Sequence, residues 1–162
     1  MQTTLDIRLT TAADFDAVDR LFRRSYGRQL KADYPPSVQV LAFPRLARAK
    51  LGLLRSGRYF LAERDGEVVG AGGWSTDRRA RGLGHIRHLV TDHRFARQGI
   101  AHSIVRAAIG HAKSAGLNRI ACDATRTAVP FYEAQGFVQV SPVLIDLAPG
   151  ISFPAVRMAR PI

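Results

Sequence analysis

The chain has 162 residues, 46% hydrophobic and 23% charged, a composition that fits one soluble globular domain spanning 1–162. It carries 24 Lys and Arg against 13 Asp and Glu, but the arginines are scattered, so a nucleic-acid partner is not expected despite the net charge of +11. There is no apolar run of the ~20 residues that span a bilayer, no signal-peptide pattern, and one cysteine, Cys122, which excludes an internal disulfide. These features predict a cytoplasmic protein without a membrane segment.

The pattern of the first half of the chain predicts a short strand, helices and an antiparallel meander. Hydrophobic periodicity predicts a strand at 6–9, a helix from 15 to about 24, a helical region at 38–54 disturbed at Pro44, and strands at 59–64, 67–74 and 85–91. Asp65-Gly66 has the composition of a hairpin turn that needs positive φ.

The second half alternates helices and strands. The pattern predicts a long helix at 99–115, a strand at 118–124, a short helix at 128–135, and strands at 137–146 and 155–159. Because a helix joins strands 85–91 and 118–124, these two strands are expected to be parallel neighbours. The element order predicts an α/β (α+β) fold with a mixed central sheet.

The most informative segment runs from Leu89 to His102, where a strand enters a short basic loop that opens the long helix. Gly99 and Ala101 allow a ligand to approach the backbone, and the free N–H groups of a first helical turn favour a phosphate or pyrophosphate. Arg97 can add charge-assisted hydrogen bonds. Many helices begin with small residues and bind nothing, so this segment alone is not decisive.

A second motif lies about thirty residues further on, where Phe131, Tyr132, Glu133, Gly136 and Phe137 form an FYE-x-x-GF pattern. With both motifs in this order and at this spacing, the chain resembles the GNAT N-acetyltransferases from about Ile7 to Met158. The resemblance implies six or seven strands in a mixed central sheet flanked by about four helices. It also implies direct transfer of an acetyl group from acetyl-CoA to a primary amine in a ternary complex.

The resemblance also implies roles for individual residues. Tyr132 would be the general acid that protonates the departing CoA thiolate. The backbone of the strand ending in Thr91 would pair with the pantetheine amides, and the loop would hold the pyrophosphate. The implied cofactor-binding residues are Leu89, Val90, Thr91, Arg97, Gln98, Gly99, Ile100, Ala101, His102 and Thr125.

The general base is less defined. His85 falls where histone-type members place a catalytic glutamate, and histidine titrates near neutrality. Strand alternation predicts that His88 faces the other side of the sheet. Ordered water without a dedicated side chain is the alternative. The resemblance suggests Trp74, Tyr26 and Tyr34 as acceptor-pocket residues, whereas Cys122 reads as a small buried hydrophobe.

Two departures from the family pattern leave a second function open. Ala96 stands where Gln or Arg usually begins the loop motif, and Thr125 stands where Asn is often found. A CoA-binding regulatory module with weak or lost catalysis is therefore the alternative. The expected partners are acetyl-CoA and an amine acceptor with no metal, while the sequence leaves open the identity of the acceptor and the oligomeric state, a homodimer included.

Overall fold

A computed structural model describes residues 4–162, in which seven strands form one mixed sheet in the order β1-β2-β3-β4-β5-β7-β6. The strands are β1 Asp6–Leu9, β2 Tyr59–Arg64, β3 Glu67–Thr76, β4 Leu83–Thr91, β5 Arg119–Ala124, β6 Val138–Ala148 and β7 Ile151–Pro161. Strands β4 and β5 are parallel, as predicted, and the other neighbouring pairs are antiparallel. The sequence-based prediction of a mixed sheet with flanking helices is confirmed.

The helical region predicted at 38–54 is three short helices in the structure. The helices are α1 Phe15–Leu30, α2 Pro36–Leu41, α3 Phe43–Leu46, α4 Leu51–Leu54, α5 Ile100–Ser114 and α6 Val129–Ala134. Pro44 lies in the first turn of α3, where its missing N–H is not needed, and it cannot continue the ladder of α2. The disturbance expected at this proline is therefore a complete break between two helices.

Helix α1 extends two turns beyond the predicted end near residue 24 and reaches Leu30. Its added part buries Ser25 and Leu30. Gly27 lies inside this part although glycine disfavours helix interiors. The ring of Phe43 lies 3.6 Å from the position that a Cβ of Gly27 would take, which is an ordinary van der Waals distance, so the packing of α3 does not by itself require a glycine here.

The two faces of the sheet are covered by different helices. On one face, Val105 and Ala108 of α5 pack with Trp74 and Ile86 in one apolar cluster. On the other face, residues of α1 and α4 pack with sheet residues in a second cluster that includes Val18, Leu21, Phe22, Leu54, Tyr59, Ala71 and Val90. Because side chains alternate along a strand, His85 lies on the α1 face, opposite Ile86.

A bulge in β4 changes this alternation. The register between β3 and β4 shifts between the Ala71 and Gly73 pairs, and His88 has a positive φ of 51°. The His88 ring stacks on Phe22 at 4.1 Å between centroids, so it lies on the α1 face. The prediction that His88 faces away from His85 is therefore wrong, because the extra residue of the bulge brings both histidines to one face.

The stability of the fold should depend on pH through His88. Burial lowers the pKa of His88 to about 4, and its Nε2 is hydrogen-bonded to the Arg48 carbonyl at 2.7 Å. Because the unfolded chain takes up this proton near pH 6.5 and the folded chain only near pH 4, the contribution is present above pH 6.5 and is lost as the pH falls to 4. We expect this loss to reach about 2–3 kcal/mol of unfolding free energy.

Urea unfolding of the parent and of His88→Asn at pH 7 and pH 4.5 measures this effect. Asparagine tolerates positive φ and keeps a donor for the Arg48 carbonyl but does not titrate. The variant should lose less stability on acidification than the parent. Parallel losses in the two proteins would contradict the assignment.

Among residues 4–162, no helix combines the length and apolar character needed to cross a membrane.

Candidate active site

A cavity opens where β4 and β5 separate. The two strands pair only over Leu83, Gly84 and His85, opposite residues 119–121, and beyond this point β4 diverges from β5. The result is a cavity of about 1140 Å³ whose walls include the ends of β4 and β5, the loop before α5, α6, and residues of α1, α3 and β6. This volume is at the upper end of the range for small-molecule and cofactor sites.

The loop entering α5 forms one wall of this cavity, and its conformation explains its sequence. A 3-10 turn, His93–Phe95, is capped by Asp92, and Gly99 follows at φ 79° as the N-cap of α5. No atom lies within 4 Å of the position that a Cβ of Gly99 would take. The N-cap makes no side-chain hydrogen bond, so the N–H groups of the first turn of α5 are left for an anionic ligand such as a pyrophosphate.

The residues predicted to bind a cofactor are brought together along this cavity. All ten of them line it, namely Leu89, Val90, Thr91, Arg97, Gln98, Gly99, Ile100, Ala101, His102 and Thr125. Several are already held by protein contacts. The Gln98 side chain accepts from Arg64, the His102 ring is hydrogen-bonded to Gln135, and Thr125 accepts from the N–H of Ala128 at 3.3 Å.

Asp92 is a buried ion-pair centre that the sequence did not reveal. It is fully buried, and it receives hydrogen bonds from Arg24 of α1 at 2.6 Å and from Arg94 of the loop at 2.8 Å. Burial alone would raise the pKa of Asp92, but the hydrogen bonds from Arg94 and Arg24 outweigh it and lower the pKa to about 2. The carboxylate therefore stays ionised and fixes the loop at the end of β4.

Helix α1 makes two further contacts with the same segment. The Ser25 hydroxyl lies 3.0 Å from Nδ1 of His93, and the Gln29 amide donates to the Thr91 carbonyl at 2.7 Å. Gln29 lines the cavity, so it occupies one acceptor position on the strand expected to pair with pantetheine. The residues in each contact are more than sixty positions apart in the sequence, so no local sequence pattern predicts these contacts.

Tyr132 lies in the wall of the cavity beside Cys122. Its ring makes edge-to-face contacts with Phe131 and Phe137 at 5.1 and 5.2 Å, and burial raises its pKa well above the usual value. Between residues 4 and 162 the Tyr132 hydroxyl enters no hydrogen bond, so it is free to donate its proton. Burial also raises the pKa of the Cys122 thiol to about 12, which argues against a thiolate nucleophile.

His85 also reaches the cavity, and it has a carboxylate partner that the sequence analysis missed. Its Nε2 lies 2.7 Å from Oδ2 of Asp77, in the loop between β3 and β4. The hydrogen bond to His85 holds the pKa of Asp77 well below its usual range. An ionised carboxylate fixes the tautomer and orientation of an imidazole, which leaves the other ring nitrogen as an acceptor.

The three aromatic residues suggested for the acceptor pocket have different positions. Tyr26 lines the cavity and lies beside His88. Trp74 is buried on the α5 face, where its indole N–H donates to His111 at 2.9 Å, so we do not retain it as a pocket residue. Tyr34 is also buried. Its hydroxyl donates to the Pro154 carbonyl at 2.9 Å and accepts from the Arg126 N–H at 2.8 Å, which is a structural role.

Comparisons with known proteins match this chain to one family model and to several solved structures. The family model described as an acetyltransferase (GNAT) domain matches residues 43–157. No curated protein sequence matches the chain significantly.

Several solved structures share the fold. A GCN5-related N-acetyltransferase from Rhodopseudomonas palustris aligns with a TM-score of 0.81 at 20% identity over 100% of this chain and 99% of its own. The paiA N-acetyltransferase of Thermoplasma acidophilum, solved with coenzyme A, gives 0.77 at 14% identity over 98% and 99%. The N-acetylglutamate synthase of Neisseria gonorrhoeae, solved with coenzyme A and N-acetyl-glutamate, gives 0.68 at 16% identity over 99% of this chain and 36% of its own.

Proposed function

Since this chain belongs to the GNAT acetyltransferase family, whose co-substrate is acetyl-CoA, we propose that it is an enzyme that transfers the acetyl group directly to a primary amine of a small molecule or protein. The observation that carries the proposal is the separation of β4 from β5. It exposes the backbone of 86–91 to a cavity that also contains the start of α5 and the Tyr132 side chain.

The proposed binding mode uses mainly the backbone. Peptide groups of Leu89 and Thr91 pair with the pantetheine amides as an added strand would, and the N–H groups from Arg97 to His102 hold the pyrophosphate. Gly99 supports this proposal, because its open surroundings leave room for phosphate oxygens. Ala96 contributes no side-chain hydrogen bond, which leaves Arg97 as the cation of this loop nearest α5.

In the proposed reaction the amine nitrogen forms a bond to the thioester carbon, and the carbon–sulfur bond breaks. The departing sulfur takes the Tyr132 hydroxyl proton, and the proton lost by the nitrogen restores the phenol through solvent. The phenol of Tyr132 is protonated at neutral pH, as a general acid must be before the sulfur departs, and burial, which raises its pKa, makes this proton harder to transfer until the thiolate forms beside it.

The amine must lose a proton before it attacks, because an alkylamine is mostly protonated at pH 7. We propose that His85, oriented by Asp77, accepts this proton through a water molecule. His85→Ala should then reduce kcat/KM about tenfold or more between pH 6 and 8, with partial rescue at higher pH as the free amine becomes abundant. Steady-state pH profiles measure this change.

The control is His111→Asn, which removes a histidine on the opposite face of the sheet, where His111 bonds Trp74. His88 is not suitable as the control, because the bulge brings it to the same face as His85. An unchanged profile in His85→Ala would leave water alone as the base.

The test of the function itself combines calorimetry with CoA and acetyl-CoA and a thiol-release assay with a library of amines. Binding together with amine-dependent release supports the enzyme. Binding without release for any amine would favour the second candidate, a CoA-binding module without catalysis, which is motivated by Ala96 and Thr125.

A further inference from the structure

The side of the cavity that is formed by α3, the residue before α4 and β4 has an excess of positive charge. Arg45, Lys50 and Arg87 line it and are exposed at its mouth. Among the described residues, Asp123 is the one carboxylate in the cavity wall, and Arg157 pairs with it at 2.9 and 3.1 Å. This side of the wall therefore has three cations without a facing carboxylate, and Arg97 is a fourth cation elsewhere in the wall.

Within residues 4–162, the carboxylates that form ion pairs with arginines are matched by arginines other than those of this cavity wall. The ion pairs join Arg8 with Asp14 and Glu63, Asp19 with Arg23 and Arg48, Asp92 with Arg24 and Arg94, Glu67 with Arg94, and Asp123 with Arg157. Over residues 4–162, Arg45, Lys50 and Arg87 form no ion pair. A cleft that is lined by positive charges attracts an anion and raises the local concentration of that anion.

Arg87 is held in a defined orientation within this group. Its Nε donates to the Ser75 hydroxyl at 2.7 Å, which leaves the two Nη groups for a ligand. Arg87 follows His85 by two residues on the same face of β4, a separation of about 7 Å along a strand. Lys50 also lines the cavity, two residues after Arg48, whose carbonyl is hydrogen-bonded to His88, the neighbour of Arg87 in β4.

We propose that the amine acceptor also carries an anionic group, a carboxylate or a phosphate, which Arg87 and Lys50 bind while the amine lies near His85. A guanidinium fork and an ammonium group suit either anion. The spacing of Arg87 and His85 fits a compact acceptor in which a few bonds separate the amine from the anion. This inference rests on the proposed acetyl transfer.

The experiment compares three acceptors of similar length, γ-aminobutyrate, aminopropyl phosphate and n-butylamine. We expect kcat/KM for at least one anionic amine to exceed that for n-butylamine about tenfold at low salt, and the gap to narrow as salt screens the exposed cations. The carboxylate and phosphate arms identify the preferred anion.

Variants test the residues. Arg87→Gln and Lys50→Gln should each lower the ratio of anionic to neutral kcat/KM severalfold. Arg20→Gln removes an exposed arginine of α1 that lies outside the cavity wall, and it should leave the ratio unchanged.

Two outcomes would overturn the inference and are distinguishable. If n-butylamine is acetylated as efficiently as both anionic amines, or if the ratio is the same in Arg87→Gln and the parent, the anionic acceptor is wrong while acetyl transfer stands. If CoA binds and no amine of the library, these three included, supports thiol release, the inference falls together with the proposed catalysis.

Discussion

Replacement of Tyr132 by phenylalanine should lower kcat about 10²-fold and change the Kd for acetyl-CoA little. The phenolic proton is needed when sulfur departs, not when the cofactor docks, so the loss appears in turnover rather than in binding. A general acid typically contributes 10²–10⁴-fold. Phenylalanine keeps the edge contacts with Phe131 and Phe137, so the fold should be unaffected.

Tyr34→Phe is the matched control, since it also removes a buried phenolic hydroxyl. That hydroxyl bonds the Pro154 carbonyl and the Arg126 N–H, so its loss should lower the melting temperature while kcat stays within a few-fold. Single-turnover kinetics and calorimetry on both variants separate chemistry from binding. Equal turnover in Tyr132→Phe and the parent would remove Tyr132 from the role of acid.

Gly99→Glu should abolish the rise in melting temperature that CoA produces in the parent. A ligand present at about 1,000 times its Kd stabilises the native state by about 4 kcal/mol. A variant that no longer binds CoA loses all of this stabilisation. The substitution brings a carboxylate into the open space at the start of α5 that the pyrophosphate is proposed to occupy. Thermal melts with and without CoA measure the difference.

Backbone strain must be separated from the effect of the charge, because Gly99 has a φ of 79°. Gly99→Asn provides that control, since asparagine tolerates positive φ better than other residues and adds no charge. We expect it to retain part of the CoA-induced shift. A full shift in Gly99→Glu would move the pyrophosphate away from this loop.

Much of the fold followed from local patterns. Alternation and helical spacing predicted each strand within a few residues, because side-chain periodicity reflects which face is buried. The parallel pairing of β4 and β5 followed from the helix between them. The end of α1 was missed, because the apolar contacts that extend it to Leu30 come from α3 and the β6–β7 hairpin.

Some features of the candidate site were likewise predictable from the sequence, and others were not. By itself the sequence determined the mixed sheet, the turn before α5 with its glycine, and the presence of Tyr132 after it, because these depend on local composition and short-range spacing. Only the tertiary structure decided that β4 parts from β5, that a bulge brings His88 to the face of His85, and that Trp74 belongs to the α5 face. Only the tertiary structure showed that Asp77 is the partner of His85 and that Arg24 is a partner of Asp92. Strand register, bulges and long-range ion pairs are set by which distant segments pack together, and a local sequence pattern does not contain that information.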